Sequence, residues 1–464
     1  MCNTKEKACS AIKDKNGKLL TDESDRLERW KQHFESTLNR EPPKVPIYIT
    51  EEDIQPTLSE IRLDPITKDE IRIALKHMKN NKAAGRDNIT VELLKADMET
   101  TVRELEYLFK EIWDNEVIPR AWKQSLIVKI AKKGDTTQCD NYRGISLLSV
   151  PSKIFTRTVI NRLYDGVNKR LRQEQAGFRK GRNTTEQIFT LRNIIEQSIE
   201  WQASLYVNFV DFEKAFDSVH QESLWKIMQA YGIPQKIITM IRLLYEDAEC
   251  AVLDEGKESL WFKVKTGVKQ GCVLSGFLFL LVIDWIMKKV TKDNKNGIRW
   301  RITSKLEDLD FADDIALVSS TSQQMQEKTT CLNEISQQFG LKINQKKTKV
   351  MKLYGKSSKQ IEIERNPIEE VDTFTYLGAT VNNSGGGEED IKLRLNKARR
   401  TFRKMNQVWN SAKFSRTTKI RLYNTLVIPV LLYGAETWKM TNSNNTEIDV
   451  FQGKCLRRIL KIFW

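Results

Sequence analysis

Three aspartates at the ends of two apolar, strand-like segments most constrain what this chain can fold into. Asp211 directly follows Leu205–Val210, and Asp313 and Asp314 stand together inside Phe311–Val318. Each segment places a carboxylate at the exposed end of a run that would otherwise be buried in a sheet. Mg²⁺ takes oxygen ligands from one or two carboxylates and the rest from substrate phosphates. Two such ions can clamp both oxygens of a phosphoryl displacement, so the pattern predicts nucleotidyl transfer.

An adjacent pair of aspartates also has a purely structural interpretation. Aspartate favours turns, so Asp313 and Asp314 taken alone would fit a simple β-turn. Asp211 argues against that interpretation, because it ends a second segment of the same kind. Carboxylates on neighbouring strands can reach the same metal ions, and a strand beside a hairpin provides that arrangement.

The charge balance favours a polyanionic partner. The 464 residues include 76 Lys and Arg against 61 Asp and Glu, which gives a net charge of +15. Such an excess is typical of proteins that bind nucleic acid, although a basic chain can also be merely soluble. The length predicts two or three subdomains.

Cysteine usage and hydropathy argue against two other classes. The seven cysteines are scattered and form no C-x-x-C pair, so neither a zinc knuckle nor a disulfide is predicted. The most apolar stretch, Val273–Met287, has about 15 residues against the ~20 that a membrane-spanning helix needs. We interpret it as a buried helix and expect no membrane partner.

Helix-start signals and hydrophobic periodicity predict a mixture of helices and strands. Thr67 and Glu70 form a capping box that opens a helix, and Ser218 with Gln221 is expected to cap another. Further along the chain we predict the strands Ser125–Ile130 and Leu205–Val210, a hairpin at Phe311–Ile315, a helix at Met325–Phe339 and strand character at Leu341–Leu353. This order fits an α+β sheet with helices behind one face, as in a split βαβ arrangement.

Five short motifs follow one another in order: Val210–Asp217, Gly267–Ser275, Phe311–Asp314, Gly340–Thr348 and Phe374–Gly378. Each is weak alone, but together they resemble the motifs of reverse transcriptases from LINE-type (non-LTR) retrotransposons. The resemblance runs from about residue 65 to the C-terminus. It implies a right-hand polymerase with an extension at 1–64, fingers and part of the palm at 65–204, palm at 205–384, and a basic helical thumb with the start of a C-terminal region at 385–464.

The resemblance implies roles for the aspartates. Asp211 and Asp313 would hold metal ions, Asp314 would support them, and Phe212 would offer its backbone carbonyl as a further ligand. The implied cofactor is Mg²⁺, with Mn²⁺ as an alternative.

A set of nucleotide-binding residues is implied in the same way. Lys129 and Arg143 would meet the triphosphate, Gln270 and Gly271 would contact nucleotide and template, and Phe216 would exclude a 2′-hydroxyl and so select dNTPs. From the residues alone, Phe216 could instead be a core anchor, and the two cations could belong to a solvated basic face.

Lys347 follows Asn344 in the fourth motif. By resemblance it would protonate the leaving pyrophosphate as a general acid. The alternative is one more exposed lysine in a lysine-rich segment.

Contacts with nucleic acid are expected at three places. The residues concerned are Arg179 and Arg182 for the template, Tyr376, Leu377 and Gly378 as the primer grip, and Lys397, Arg399, Arg400 and Arg403 in the thumb. The stretch from Ile391 to Leu426 holds eleven Lys and Arg and no Asp or Glu. Phe402, Trp409 and Phe414 in this stretch could stack on bases, although aromatics at helical spacing are more often core residues.

The function implied by the resemblance is RNA-directed DNA synthesis, in which a primer is extended on an RNA template by two-metal nucleotidyl transfer. The expected partners are an RNA template, a DNA primer or target and dNTPs, and the expected location is the nucleus after cytoplasmic synthesis. Two alternatives stay open: a truncated, catalytically silent copy that only binds RNA, and an intron-maturase-like reverse transcriptase. Cys455–Leu460 is predicted to be part of a helix that continues through Phe463 and Trp464, which favours a truncated copy.

Overall fold

The structure, a computed structural model, describes residues 11–300 and 304–462. Cys2, Cys9, Phe463 and Trp464 lie outside the described residues.

The helices are α1 (Glu23–Leu38), α2 (Lys68–His77), α3 (Val91–Ala96), α4 (Met98–Asn115), α5 (Arg120–Lys123), α6 (Val150–Asn168), α7 (Thr184–Glu200), α8 (Ala215–Ser218), α9 (Gln221–Ala230), α10 (Gln235–Tyr245), α11 (Val273–Val290), α12 (Ser322–Gln337), α13 (Glu388–Lys404), α14 (Asn406–Asn410), α15 (Arg416–Leu426), α16 (Ile428–Leu431) and α17 (Asn442–Leu460).

The strands are β1 (Ile12–Lys13), β2 (Leu19–Leu20), β3 (Gln124–Ala131), β4 (Tyr142–Leu147), β5 (Leu205–Val210), β6 (Glu249–Asp254), β7 (Lys257–Glu258), β8 (Phe262–Lys263), β9 (Ile298–Arg299), β10 (Lys305–Leu306), β11 (Asp308–Phe311), β12 (Asp314–Ser319), β13 (Lys349–Leu353), β14 (Glu362–Ile363), β15 (Asn366–Pro367), β16 (Glu369–Glu370), β17 (Thr373–Tyr376) and β18 (Ala379–Asn382).

The chain forms two compact units, and each is assembled from stretches that are separated in sequence. The first unit contains the described residues up to Arg172 together with Phe212–Lys289 and Asn333–Lys342. The second contains Gln173–Asp211, Val290–Leu332 and the described residues from Ile343 onward. The predicted α+β class is confirmed, whereas the division into extension, fingers, palm and thumb stays a prediction.

The second unit is organised around a five-stranded sheet with the order β11-β12-β5-β13-β16. The predicted strand β5 lies in the middle, antiparallel to both β12 and β13. Its apolar side chains are buried because they pack against α7, where Ile188 and Leu191 meet Val207 and Phe209. The polar ends of β5, β12 and β13 are thereby brought to one edge of the sheet.

In the second unit, α13 and the helices that follow it share a separate core. Leu395, Trp409 and Tyr423 are buried in it, and the rings of Phe402 and Trp409 stack with centroids 5.1 Å apart. The core alternative is therefore confirmed for Phe402 and Trp409. Phe414 remains exposed.

The first unit contains a second sheet, in which β4, β3, β6 and β7 are neighbours and β8 also pairs with β6. Trp30 and Phe34 of α1 pack against Ile127 and Val252 of this sheet. The long apolar segment forms α11, which is buried from Leu274 to Met287 as predicted. Among the described helices, none combines the length and the apolarity that a bilayer crossing requires.

The predicted capping box of α2 is confirmed. Thr67 and Glu70 form the capping box of α2 with both reciprocal hydrogen bonds present, an arrangement that contributes about 1 kcal/mol to helix stability. The five described cysteines, Cys139, Cys250, Cys272, Cys331 and Cys455, have free thiols.

The predicted cap of α9 is wrong. The hydroxyl of Ser218 donates to the carbonyl oxygens of Glu213 and Lys214 instead. The N-cap is His220, whose ring nitrogen accepts from the backbone N–H of Ser223 at 3.3 Å. A histidine nitrogen can replace the usual hydroxyl here because it too offers a lone pair to the first helical turn.

Two further boundaries differ from the predictions. Strand character in Leu341–Leu353 is limited to Lys349–Leu353, because residues before it turn back so that the N–H of Thr348 donates to the carbonyl of Asn344. The helix α17 ends at Leu460 rather than continuing, because Lys461 takes a left-handed conformation and its N–H donates to Arg457.

Candidate active site

The strand register places Asp211 between Asp314 and Lys347. Ile315 pairs with Val210, so the next antiparallel position sets Asp314 opposite Asp211. On the other side Lys349 pairs with Phe209, and the turn that precedes β13 carries Lys347, whose Nζ lies 3.1 Å from Oδ2 of Asp211. The carboxylate of Asp211 is thus flanked by a second carboxylate and by an ammonium group, because β5 lies between β12 and β13.

These side chains open into one cavity of about 380 Å³. The chemically distinctive residues that line it are Asp211, Asp314, Lys346, Lys347, Tyr376 and Leu377. The structure therefore brings together two of the predicted aspartates, the predicted general acid and two primer-grip residues.

Electrostatics in the cavity are dominated by the carboxylates. Desolvation by the surrounding protein, followed by repulsion from Asp313 and Asp211, raises the pKa of Asp314 to about 6, although Lys347 opposes this rise. Asp314 nevertheless keeps part of its surface exposed to solvent. The Nζ of Lys347 lies 3.1 Å from Oδ2 of Asp211, so a cation already compensates the negative charge at that point.

The backbone of Asp211 is tied to the loop that carries Lys347. Its N–H donates to Oγ1 of the buried Thr348 at 3.3 Å, and its carbonyl accepts from the N–H of Asn344 at 2.8 Å. The fourth motif therefore does more than present a lysine, because its Asn and Thr fix the residue that follows β5.

The turn of the β11–β12 hairpin holds Asp313, which is half-buried, next to Ala312. Ala312 has a φ of 58°, a left-handed conformation that costs a non-glycine residue roughly 1 kcal/mol. The side chain of Gln175 supports this conformation, because its Oε1 accepts from the N–H of Ala312 at 3.0 Å and from the N–H of Gly177 at 2.7 Å.

Sequence reasoning assigned no role to Gln175 or Gly177. Gln175 is fully buried, and a Cβ on Gly177 would lie 2.2 Å from the backbone nitrogen of Ala312. Both residues lie close in sequence to the predicted template residue Arg179. The available signal was a glutamine and a glycine two residues apart. That both contact Ala312 could not be identified without the fold.

The donor set at the cavity fits a hard divalent cation. The candidate side-chain ligands are all carboxylates, and a bound cation would offset the repulsion that Asp313 and Asp211 exert on Asp314. Within residues 11–300 and 304–462, no group of three or more His, Cys, Asp or Glu residues is arranged to hold a metal ion by itself. Which of Asp313 and Asp314 is the ligand, and the role of the buried Phe212, stay predictions.

A second group of predicted residues meets inside the first unit. Phe216 stacks on Phe279 with ring centroids 4.3 Å apart, and its carbonyl accepts from the N–H of Val268. The Nε2 of Gln270 donates to Oδ1 of Asp217 at 3.1 Å. Burial raises the pKa of Asp217 to about 6, and no role was assigned to this residue from the sequence.

Gly271 is required where it stands. Its φ is 117°, and a Cβ there would lie 2.5 Å from the carbonyl oxygen of Ser146. The preceding residue, Gln270, accepts from the N–H of Ser146 at 2.7 Å. The predicted nucleotide-binding loop is therefore held against β4.

The two cations predicted to meet triphosphate differ in their surroundings. Lys129 is largely buried, where its ammonium pairs with Asp254 and lies 4.8 Å from the ring centroid of Trp30. Arg143 is exposed on the neighbouring strand β4. The geometry favours Arg143 over Lys129 as a group available to a ligand.

The predicted template residues Arg179 and Arg182 also differ. Arg179 is buried, and its Nη1 donates to the carbonyl of Gln175 at 3.0 Å. Arg182 is partly exposed, with its Nη2 donating to Oε1 of Gln173 at 2.7 Å. Arg179 thus reinforces the segment that supports the hairpin turn, and its contact with template stays a prediction.

The predicted primer grip and thumb cations are placed by β17, β18 and α13. Tyr376 is buried, and its hydroxyl donates to the carbonyl of Leu309 at 3.0 Å, whereas Leu377 and Gly378 form the turn between β17 and β18. The four thumb cations Lys397, Arg399, Arg400 and Arg403 are all exposed on α13. Their helix buries Ile391, Leu395, Ala398 and Phe402 on the opposite face.

Known proteins with related sequences cover almost the whole chain. The transposon BS protein of Drosophila melanogaster, a probable RNA-directed DNA polymerase, is 27% identical and covers 97% of this chain and 51% of its own length. The RNA-directed DNA polymerase of the mobile element jockey, from the same organism, is 24% identical over 98% of this chain and 51% of its own length. This chain therefore spans about half the length of these curated relatives.

A solved telomerase from Candida albicans, in complex with a fragment of telomeric RNA, is 13% identical, with a TM-score of 0.45 over 77% of this chain and 67% of the telomerase chain.

Family models match two regions. One described only as a domain of unknown function matches residues 401–433. The model described as reverse transcriptase (RNA-dependent DNA polymerase) matches residues 130–381, more than half of the chain. The predicted resemblance to reverse transcriptases of LINE-type retrotransposons is confirmed. The chain belongs to the reverse transcriptase family of RNA-dependent DNA polymerases.

Proposed function

We propose that this chain extends a primer on an RNA template by metal-dependent nucleotidyl transfer. The observation that carries the proposal is the cavity that Asp211, Asp314 and Lys347 line together with Tyr376 and Leu377. Carboxylates beside a cation and a primer-grip turn are the groups that a template-directed polymerase needs at one place. The proposed activity is the RNA-directed DNA polymerase activity named for the longer relatives. The proposed partners and substrates are an RNA template, a DNA primer or target and dNTPs.

The aspartates would serve as the metal-binding groups. Reverse transcriptases use divalent metal ions, and we propose Mg²⁺ here, with Mn²⁺ as an alternative. When bound, such ions stabilise the charge that develops on the phosphoryl oxygens and lower the pKa of a coordinated hydroxyl. Asp211 and Asp314 would present carboxylate oxygens to the ions from facing strand positions, and Asp313 would add a further carboxylate from the turn.

Lys347 would act on the leaving group. Its ammonium is exposed except for the contact with Asp211, so it can hold a proton at the mouth of the cavity. Donation of that proton to pyrophosphate would make the departure of this anion easier.

The remaining predicted residues would bind the substrates. Phe216, Gln270 and Gly271 would receive the dNTP in the first unit. The ring of Phe216 is held there by stacking on Phe279, and the loop is held by the hydrogen bond from Ser146 to Gln270. The exposed cations of α13 would hold the backbone of an RNA template paired with a DNA primer. A nuclear location follows from this proposed role.

A primer-extension assay on purified protein tests the proposal. The wild-type chain, a primed RNA template and dNTPs are incubated with Mg²⁺, and RNA binding is measured in parallel. The double variant Asp313→Ala, Asp314→Ala should lose incorporation while it retains RNA binding. The matched control changes two exposed acidic residues of α17, Glu447→Ala with Asp449→Ala, and should extend the primer at the wild-type rate.

Binding without extension by the wild-type chain would support the silent-copy alternative and overturn the proposal. Undiminished incorporation by the double aspartate variant would show that the reaction uses another site.

A further inference from the structure

The segment Ile428–Trp438 has a direct connection to the cavity that carries the proposed chemistry. Its residue Tyr433 donates from its hydroxyl to the carbonyl oxygen of Leu377 at 2.7 Å. The same hydroxyl lies 3.3 Å from Oγ1 of Thr184. Leu377 lines the cavity together with Asp211, so a residue distant in sequence holds part of the cavity wall.

A second residue holds the same turn at the next position. The guanidinium of Arg394 donates to the carbonyl oxygen of Gly378, and its carbon lies 4.4 Å from the ring centroid of Tyr433. Arg394 is itself buried and is 3.7 Å from Oδ1 of Asp390. Two consecutive carbonyls of the turn therefore accept from two side chains that also contact each other.

The conformation of this turn explains why it needs such support. Leu377 has a φ of 48°, and a non-glycine residue in the left-handed region costs of order 1 kcal/mol or more. The flanking strands pair only from Tyr376 to Ala379 outward, so their ladder does not fix the two turn residues. The hydrogen bonds from Tyr433 and Arg394 supply the missing constraint.

The segment that carries Tyr433 is itself anchored at its far end. The indole N–H of Trp438 donates to Oδ2 of Asp390 at 2.9 Å, and Nη1 of Arg192 donates to Oγ1 of Thr437 at 3.0 Å. Trp438 and Leu431 are buried on either side of Tyr433. Tyr433 itself is 38% exposed, so the position of its hydroxyl depends on the hydrogen bond to Leu377 and on the contact with Arg394.

We infer that Tyr433 and Arg394 are positioning residues that hold the Leu377–Gly378 turn in place, so that the 3′ end of the primer is presented to the carboxylates. The segment Ile428–Trp438 is then a functional part of the polymerase site rather than an appendage. This inference rests on the proposed function.

The variant Tyr433→Phe tests the inference, because it keeps the ring over Arg394 and removes only the hydroxyl. The matched control is Tyr423→Phe in the same unit, since the buried Tyr423 hydroxyl has no hydrogen-bond partner within the described part of the chain. We expect Tyr433→Phe to lower the single-nucleotide addition rate about tenfold, in line with the loss of one hydrogen bond. The KM for dNTP and the melting temperature should stay at control values.

A second measurement does not depend on catalysis. Amide hydrogen exchange of residues 377–379 should be faster in Tyr433→Phe and in Arg394→Lys than in the wild type and in Tyr423→Phe. Equal exchange and equal addition rates in Tyr433→Phe and Tyr423→Phe would overturn the inference. A wild-type chain that extends no primer would overturn the proposed function, while faster exchange in the two variants would still show that these side chains hold the turn.

Discussion

The ammonium of Lys347 lies 3.1 Å from the carboxylate of Asp211. The two residues meet because Lys347 lies in the turn just before β13, and β13 pairs with β5, the strand that Asp211 follows. A proton donor is thereby placed beside a proposed metal-binding carboxylate. This pair gives the first prediction.

Replacing Lys347 by Met should lower the rate of nucleotide addition on the order of a hundredfold, the usual contribution of a general acid. The KM for dNTP should change little, because the proton is needed only as pyrophosphate leaves. Lys346 lines the same cavity and is exposed, so Lys346→Met is the matched control. Equal rates in the two variants would mean that Lys347 is only one more surface lysine.

The raised pKa of Asp314 predicts a pH-dependent stability. Because its pKa of about 6 lies above the ordinary value of 3.8, the charged form destabilises the folded state above pH 6, and this effect fades as the pH falls toward 3.8. In a chelator, Asp314→Asn should therefore melt at a higher temperature than the wild type at pH 7.5, with a smaller difference at pH 5. Asp449→Asn, on an exposed face of α17, should show no such pH dependence.

Gln175 should prove essential to the hairpin turn. Gln175→Leu would leave the N–H groups of Ala312 and Gly177 without their acceptor, which typically costs 1–3 kcal/mol per buried group. We expect a lower free energy of unfolding in denaturant titration and a loss of primer extension.

The neighbouring glycine offers a sharper comparison. Gly177→Ala would bring a Cβ within 2.2 Å of the Ala312 nitrogen, whereas a Cβ on Gly181 meets no atom within 4 Å. Gly181→Ala should therefore retain activity apart from its modest left-handed strain. Comparable activity in the two alanine variants would contradict the role of the Gly177 contact.

The exposed cations of α13 should govern the salt dependence of binding. Each phosphate contact contributes about 0.9 to the slope of log K against log salt, so Arg400→Gln with Arg403→Gln should reduce the slope by about 2. Filter binding of an RNA–DNA duplex between low and moderate salt measures this change. The control pair, Lys15→Gln with Lys18→Gln on the exposed β1–β2 turn, should leave the slope unchanged, and an equal reduction there would indicate a non-specific charge effect.

Much of the fold could be predicted because its signals are local. The capping box of Thr67 and Glu70, the apolar run of β5 and the buried helix α11 each depend on residues a few positions apart. An error arose where two local signals competed. Ser218 has the side chain of an N-cap, but its hydroxyl turns to the preceding backbone and His220 takes its place.

The sequence by itself determined that the chain carries the ordered motifs of a reverse transcriptase, with Asp211 at the end of a strand and Asp313–Asp314 in a hairpin. Only the tertiary structure decided which distant side chains support the site and which are occupied in other contacts. Gln175 meets Ala312 across 137 positions and Tyr433 meets Leu377 across 56, and within the first unit Lys129 pairs with Asp254. No periodicity or spacing encodes such contacts, because they exist only once the sheets have set the register of distant strands.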